Sequence, residues 1–271
     1  MKTAPIDDAF FQGRALLLVE DPLTRVVLVE RWSGHSAAKH IQVRAVGGRA
    51  AVGALVSSSR AQGRTEVFGL TDRDFDGPGR GADGPHFRTP GHEMENHLIV
   101  PATLLRIAQR GVTVDEIHEK TLARAKTMRS WMALRRTLAE IRAALALTPP
   151  DPALHEITDV ATAKDWLRSQ KHPGQIEAAL RRTWTDLYVA ERVEKHDADC
   201  GDELANGRWA ETFSGKELFR HLRASIAWRF PLANDDELAF LVARHWDDAT
   251  TPPFISAMRD RIVAAFGRAT S

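Results

Sequence analysis

Three acidic side chains carry the first chemical signal. Glu20 directly follows the apolar run Ala15-Leu16-Leu17-Leu18-Val19, while Asp72 and Asp74 sit in Thr71-Asp72-Arg73-Asp74, which ends the run Val67-Phe68-Gly69-Leu70. Residues two apart share a face of a strand, so both aspartates point the same way if the extended geometry persists past the strand. Such a pair can grip a cation. Magnesium takes oxygen ligands at about 2.0–2.1 Å and keeps several waters, so two or three carboxylates on one side suffice when substrate phosphate completes the shell. Glu20, across from them, is placed to act as ligand or general base. Taken singly, each acid also reads as a cap, a solvated turn or a loop ion pair. The chemistry rests on their conjunction, because three acids at neighbouring strand ends repel one another unless a cation or a proton offsets the charge.

The elements that must position them are legible from patterning. Ala15–Val19 is continuously apolar, as expected of a strand covered on both faces. Asp21 then reads as an N-cap and Pro22 as the first residue of a helix through Trp32. A second strand is expected over Ile41–Val46, followed by Gly47-Gly48 and a helix through Ser59. The third strand is Val67–Leu70. Three strand–helix units predict an α/β fold with a parallel sheet, whose carboxyl ends gather the acids. Residues 76–91 hold five glycines and three prolines and read as a long irregular loop. Pro101 opens a short helix ending near Gly111. Thr113-Val114-Asp115-Glu116 is a capping box for one long helix to about Leu147, roughly 50 Å at 1.5 Å per residue. Thr148-Pro149-Pro150-Asp151-Pro152 breaks it, and the remainder is mostly helical, with most of Trp166, Trp184, Trp209, Trp228 and Trp246 expected as core anchors. The division expected is 1–111 for the sheet domain and 112–271 for a helical region.

Composition narrows the function classes. The 271 residues are 43% hydrophobic and 27% charged, enough for a sizeable core and too apolar for a disordered chain. Lys plus Arg number 37 against 36 Asp plus Glu, a net +1, so no global field draws the protein to nucleic acid or acidic lipid. With Cys200 the sole cysteine, an intramolecular disulfide and a cysteine-rich zinc module are excluded. The start of the chain lacks an apolar leader and no run approaches the roughly 20 apolar residues of a membrane span. A cytoplasmic protein without a membrane partner is expected.

The segments Leu17-Leu18-Val19-Glu20, Phe68-Gly69-Leu70-Thr71-Asp72-Arg73-Asp74-Phe75 and His92-Glu93-Met94-Glu95-Asn96-His97-Leu98 together resemble the Toprim fold of topoisomerases, primases and overcoming-lysogenization-defect nucleases. More closely, they are similar to a bacterial Toprim-like domain of unknown function (the 4435 family) that accompanies an ATPase in anti-phage defence. The resemblance covers about residues 14–110, plus Phe213-Ser214-Gly215-Lys216-Glu217-Leu218, which is similar to that group's Gly-Lys motif. It implies a Toprim-like Rossmannoid core with a mostly α-helical C-terminal region. It further implies acid–base chemistry at Glu20, Mg2+ (or Mn2+) held by Asp72 and Asp74, and Glu95 as an additional ligand. The function implied is a magnesium-dependent nuclease, the effector of a defence system with an ATPase partner and a DNA or RNA substrate, with a homodimer as a further expected partner state. Two departures stand out: Glu20 is followed by Asp21-Pro22 rather than glycine, and no second acid follows in the expected form. They leave room for an alternative, a degenerate Toprim-fold subunit that regulates an ATPase.

Other motifs offer less. The histidines of His92-Glu93-Met94-Glu95-Asn96-His97 are five apart, not the four of a zinc-binding helix, and Gly215-Lys216 lacks the upstream glycine of a P-loop. The expected long helix carries seven basic and four acidic residues, a local +3 able to track a phosphate backbone, beside an apolar stripe of Met128, Trp131, Leu138, Ile141 and Leu145. Lys216, at a helix N-terminus, would attract phosphate. Lys216, Arg73, Arg124 and Arg129 are the candidate phosphate contacts.

Overall fold

A computed structural model describes residues 14–75, 84–145, 152–169 and 186–269 of the chain. Four parallel strands form one sheet: β1 (Ala15–Val19), β2 (Ile41–Ala45), β3 (Val67–Thr71) and β4 (His86–Arg88), in the order β2-β1-β3-β4. The fold is α/β, as the strand–helix pattern predicts. Every residue of β1 is fully buried, because its two faces meet separate cores. Leu16 and Leu18 pack with Val52 and Val56 of α2 (Gly48–Ala61), which lies so close to β3 that a Cβ on Gly69 would stand 2.7 Å from Val52 Cγ1. Ala15, Leu17 and Val19 face the larger core, shared with Val27 and Leu28 of α1 (Pro22–Trp32). Asp21 caps α1 as expected, its Oδ1 accepting the Thr24 N–H at 2.8 Å.

Met1–Ile117 and Gly215–Ser271 form one compact unit and His118–Ser214 the other. This differs from a division at 111/112, for a packing reason. The face of the sheet bearing Leu17 is covered not only by α1 but by Phe219 and Leu222 of α9 (Gly215–Ser225), Leu238 and Val242 of α10 (Asp235–His245), and Ile255 and Ile262 of α11 (Pro253–Ala269). Two further expectations change within this unit. α3 (Pro101–Ile107) ends well before Gly111, and the region read as a loop contains β4, with residues 76–83 lying outside the described part.

The second unit is helical. The expected single long helix is two, α4 (Val114–Thr127) and α5 (Arg129–Leu145), separated at Met128. There the fully buried Met128 shares its N–H between Arg124 O and Ala125 O, a local 3₁₀ tightening. α6 (Val160–Ser169), α7 (Asp186–Ala205) and the single turn α8 (Trp209–Thr212) follow. Met128, Trp131, Leu138 and Ile141 are buried as the stripe predicts, with Leu145 outside the described side chains. Of the anchoring tryptophans, Trp209, Trp228 and Trp246 are buried, Trp166 is half-buried and Trp184 is outside the described residues. Cys200 is a free, buried thiol whose pKa burial pushes up to about 12. Among the described residues no helix is long and apolar enough to cross a membrane.

Candidate metal centre

Adjacent parallel strands bring their carboxyl ends together, and the register pairs Val19 of β1 with Leu70 of β3. Glu20 therefore reaches across the gap, its Oε1 accepting the Asp72 N–H at 2.8 Å. Past β4 the chain runs back along the end of β3. Thr89 N–H donates to Thr71 O, Asp74 N–H to His92 O, and Met94 N–H to Asp72 Oδ1 at 3.0 Å. This lays residues 92–95 beside 72–74 and leads into a 3₁₀ turn, Met94–Leu98, capped by Glu93 and Asn96. Asp72, Glu93 and Glu95 are 5%, 3% and 3% exposed.

α9 supplies the cation. Gly215 sits so tightly on the 3₁₀ turn that a Cβ there would stand 2.5 Å from Asn96 N. With that approach, the Lys216 N–H donates to Glu93 Oε2 at 2.8 Å and Lys216 Nζ stands 3.7 Å from Asp72 Oδ2. The helix N-terminus expected to hold phosphate thus holds a carboxylate of the protein. Burial alone would lower the Lys216 pKa, but Glu93, Glu95 and Asp72 outweigh it and raise it. For the acids, the balance tips the other way. Burial pushes Asp72 well above the ordinary carboxylate range against the pull of Lys216, raises Glu20 despite its bond from Asp72, and lifts Glu95 to about 8. One ammonium does not offset this much buried negative charge.

The structure brings Glu20, Asp72, Glu95 and Lys216 into one electrostatic neighbourhood, with Asp21 beside them. Asp74 also raises Glu20 but does not share the orientation expected of it. The extended geometry stops at Thr71, and Asp74 takes a left-handed φ of 51°, which aspartate tolerates better than most residues. Its carboxylate instead lies with His92 and Glu93, ligand atoms of all three falling within 4.8 Å of one another, and Oδ2 is 3.8 Å from Arg49. Glu93 joins both groups. Neither it nor His92 is a ligand candidate by sequence spacing, although both stand in the motif that supplies Glu95. The residues fit a divalent cation: Glu20, Asp72, Glu93 and Glu95 lie about Lys216, Asp74 lies with His92 and Glu93 beside Arg49, and Glu95 Oε2 is buried without a hydrogen-bond partner among the described residues.

The other candidate phosphate contacts are placed differently. Arg73 is half-buried, its N–H bonded to Thr89 Oγ1 and its charge beside His97. Arg124 and Arg129 belong to the second unit. Arg124 is half-buried on α4, and Arg129 is committed to α7, with Nε donating to Asp197 O at 3.0 Å and an ion pair to Asp197 Oδ2 at 2.6 Å. Arg136 pairs likewise with Glu203. The basic face expected to track a phosphate backbone thus spends these charges on the acids of α7, a partner that lies far off in sequence.

His97 supports the turn from below. Its Nε2 accepts the Gly91 N–H at 3.0 Å, so the ring is neutral, and burial with Arg73 nearby lowers its pKa to about 4. The unfolded chain takes this proton near pH 6.5 and the folded one only near 4, so the His97 contribution to stability is full above about 6.5 and is lost as pH drops between them, opposite in sign to that of the raised carboxyls. The expected loss is up to about 3 kcal/mol. In urea denaturation, His97→Gln should gain stability relative to the wild type as pH falls from 7 to 4; a difference that does not change with pH would remove His97 as the source.

The chain matches no protein-family model and no curated protein.

Proposed function

We propose that the carboxyl end of the sheet is the active site of a Toprim-type, magnesium-dependent nuclease that hydrolyses phosphodiester bonds of DNA or RNA and works with an ATPase partner. One observation supports this reading above the rest: Glu20, Asp72, Glu93 and Glu95, from three separate segments of the chain, crowd around a single ammonium with three of their pKa values raised. Folding tolerates such repulsion where function needs it. A bound divalent ion would polarise the phosphoryl group and lower the pKa of an attacking water. Glu20, only partly buried and raised in pKa, is suited to take a proton at its free oxygen. Lys216, with its side chain 44% exposed, can turn its ammonium from Asp72 to a substrate phosphate.

The test is incubation of the purified protein with plasmid DNA and structured RNA in MgCl2 or MnCl2, alone and with a candidate ATPase. Cleavage that Glu20→Gln abolishes while the circular dichroism spectrum is retained is the expected result. No cleavage under any of these conditions overturns the proposal. The specific observation favouring a degenerate, regulatory subunit is that Lys216 already supplies a cation beside Asp72. That reading expects ATPase binding indifferent to Asp72→Asn.

A further inference from the structure

We propose that Asp74, His92 and Glu93 form a mixed imidazole–carboxylate site for one divalent transition-metal ion, bound in preference to magnesium. The inference rests on the metal-centre reading above and specifies its metal. The orientation of His92 carries it. Nδ1 lies 2.7 Å from Asp74 O, and a carbonyl oxygen only accepts, so Nδ1 bears a proton and Nε2 is the ring nitrogen left to ligate an ion. A backbone carbonyl holding one imidazole nitrogen while the other faces the ion is the usual arrangement of a metal-ligating histidine. Nε2 is 4.0 Å from Glu93 Oε1, and both side chains are almost wholly buried, at 1% and 4% exposure. Opposite ligands of an ion bound at about 2.1 Å stand about 4.2 Å apart, so little movement is needed for this pair to share one.

Two neighbours bear on the site. Arg49 lies 3.8 Å from Asp74 Oδ2, but both side chains are more than a third exposed, so this is a weak pair that an incoming ion can displace. Glu95, which interacts electrostatically with Glu93 and Asp72, keeps a buried Oε2 without a hydrogen-bond partner among the described residues. An imidazole donor selects among cations: magnesium strongly prefers oxygen, whereas the divalent transition metals accept nitrogen, with affinity rising from manganese to copper and falling back at zinc. The site thus favours the transition metal even where magnesium is more abundant.

Calorimetric titration of the full-length protein with MnCl2 and with MgCl2, joined to pulsed electron paramagnetic resonance of the manganese complex, tests this. Manganese is expected to bind at least about 10-fold more tightly, with the modulation of a directly coordinated histidine nitrogen. His92→Gln should remove the modulation and weaken manganese about 10-fold or more while leaving magnesium unchanged. Equal affinities, or a wild-type spectrum without bound nitrogen, overturn the inference, and the wild-type spectrum decides the matter even if the variant misfolds. Magnesium-supported cleavage without nitrogen-bound manganese overturns this inference and leaves the nuclease reading standing. Nitrogen-bound manganese in a protein that cleaves no nucleic acid does the reverse.

Discussion

Gly215→Ala is expected to destabilise the unit containing the sheet by about 3 kcal/mol, the upper end of what overpacking usually costs. The new methyl group would stand 2.5 Å from Asn96 N, 2.7 Å from Asn96 Oδ1 and 2.9 Å from its Cγ. A backbone nitrogen in a capped turn cannot yield as a flexible side chain does, so α9 must retreat. Retreat lengthens the 2.8 Å bond from the Lys216 N–H to Glu93 and draws the ammonium from Asp72. Thermal denaturation should show the transition lowered by roughly 10 °C, using about 2–4 °C per kcal/mol for a chain of this size class. Gly53→Ala is the matched control. It lies within α2, a Cβ there meets nothing within 4 Å, and helix propensity favours alanine by up to about 1 kcal/mol. If both variants melt alike, the close approach of α9 to the 3₁₀ turn is wrong.

Asp72→Asn should separate stability from chemistry. Asparagine keeps the shape and still accepts the Met94 N–H through its oxygen, while one of the crowded charges is lost. Burial already raises the Asp72 pKa against the pull of Lys216, so neutralising this side chain relieves repulsion from Glu95, Glu93 and Glu20. The melting temperature is expected to stay within a few degrees of the wild type or to rise. Metal-dependent cleavage should fall by roughly 10²–10³-fold, the usual scale for removing one electrostatic contributor to such a site. A variant that cleaves normally removes Asp72 from the centre. A variant that unfolds shows that its carboxylate serves the fold, as half of an ion pair with Lys216.

How far the sequence foretells this arrangement differs from residue to residue. β1 is legible because Ala15–Val19 has no polar position, and α1 because Asp21-Pro22 is local capping chemistry. Glu20 and Asp72 follow from them, since parallel neighbours must bring their ends together. Asp74 breaks the expectation because a strand period holds only while the strand lasts, and nothing in Thr71-Asp72-Arg73-Asp74 announces the left-handed residue. Glu93 and His92 become candidates only when the return past β4 lays 92–95 beside 72–74, a pairing specified by backbone bonds that carry no side-chain signature. The fate of α9 to α11 is hidden for a similar reason: an amphipathic helix declares that one face is buried but not against what. Arg129 illustrates the converse, since a basic residue on a helix reads as available until its acid on α7 is seen.

The discontinuous first unit also affects how the protein is made. β1, β2 and β3 leave the ribosome early, but the apolar face carrying Leu17, Val43 and Leu70 stays without much of its cover until Phe219 through Ile262 have been synthesised. At about 5–20 residues per second that wait is on the order of ten seconds. A nascent chain halted inside residues 118–214 would present a sticky, half-clad sheet to chaperones and proteases, so premature termination there should give aggregates rather than a smaller working protein.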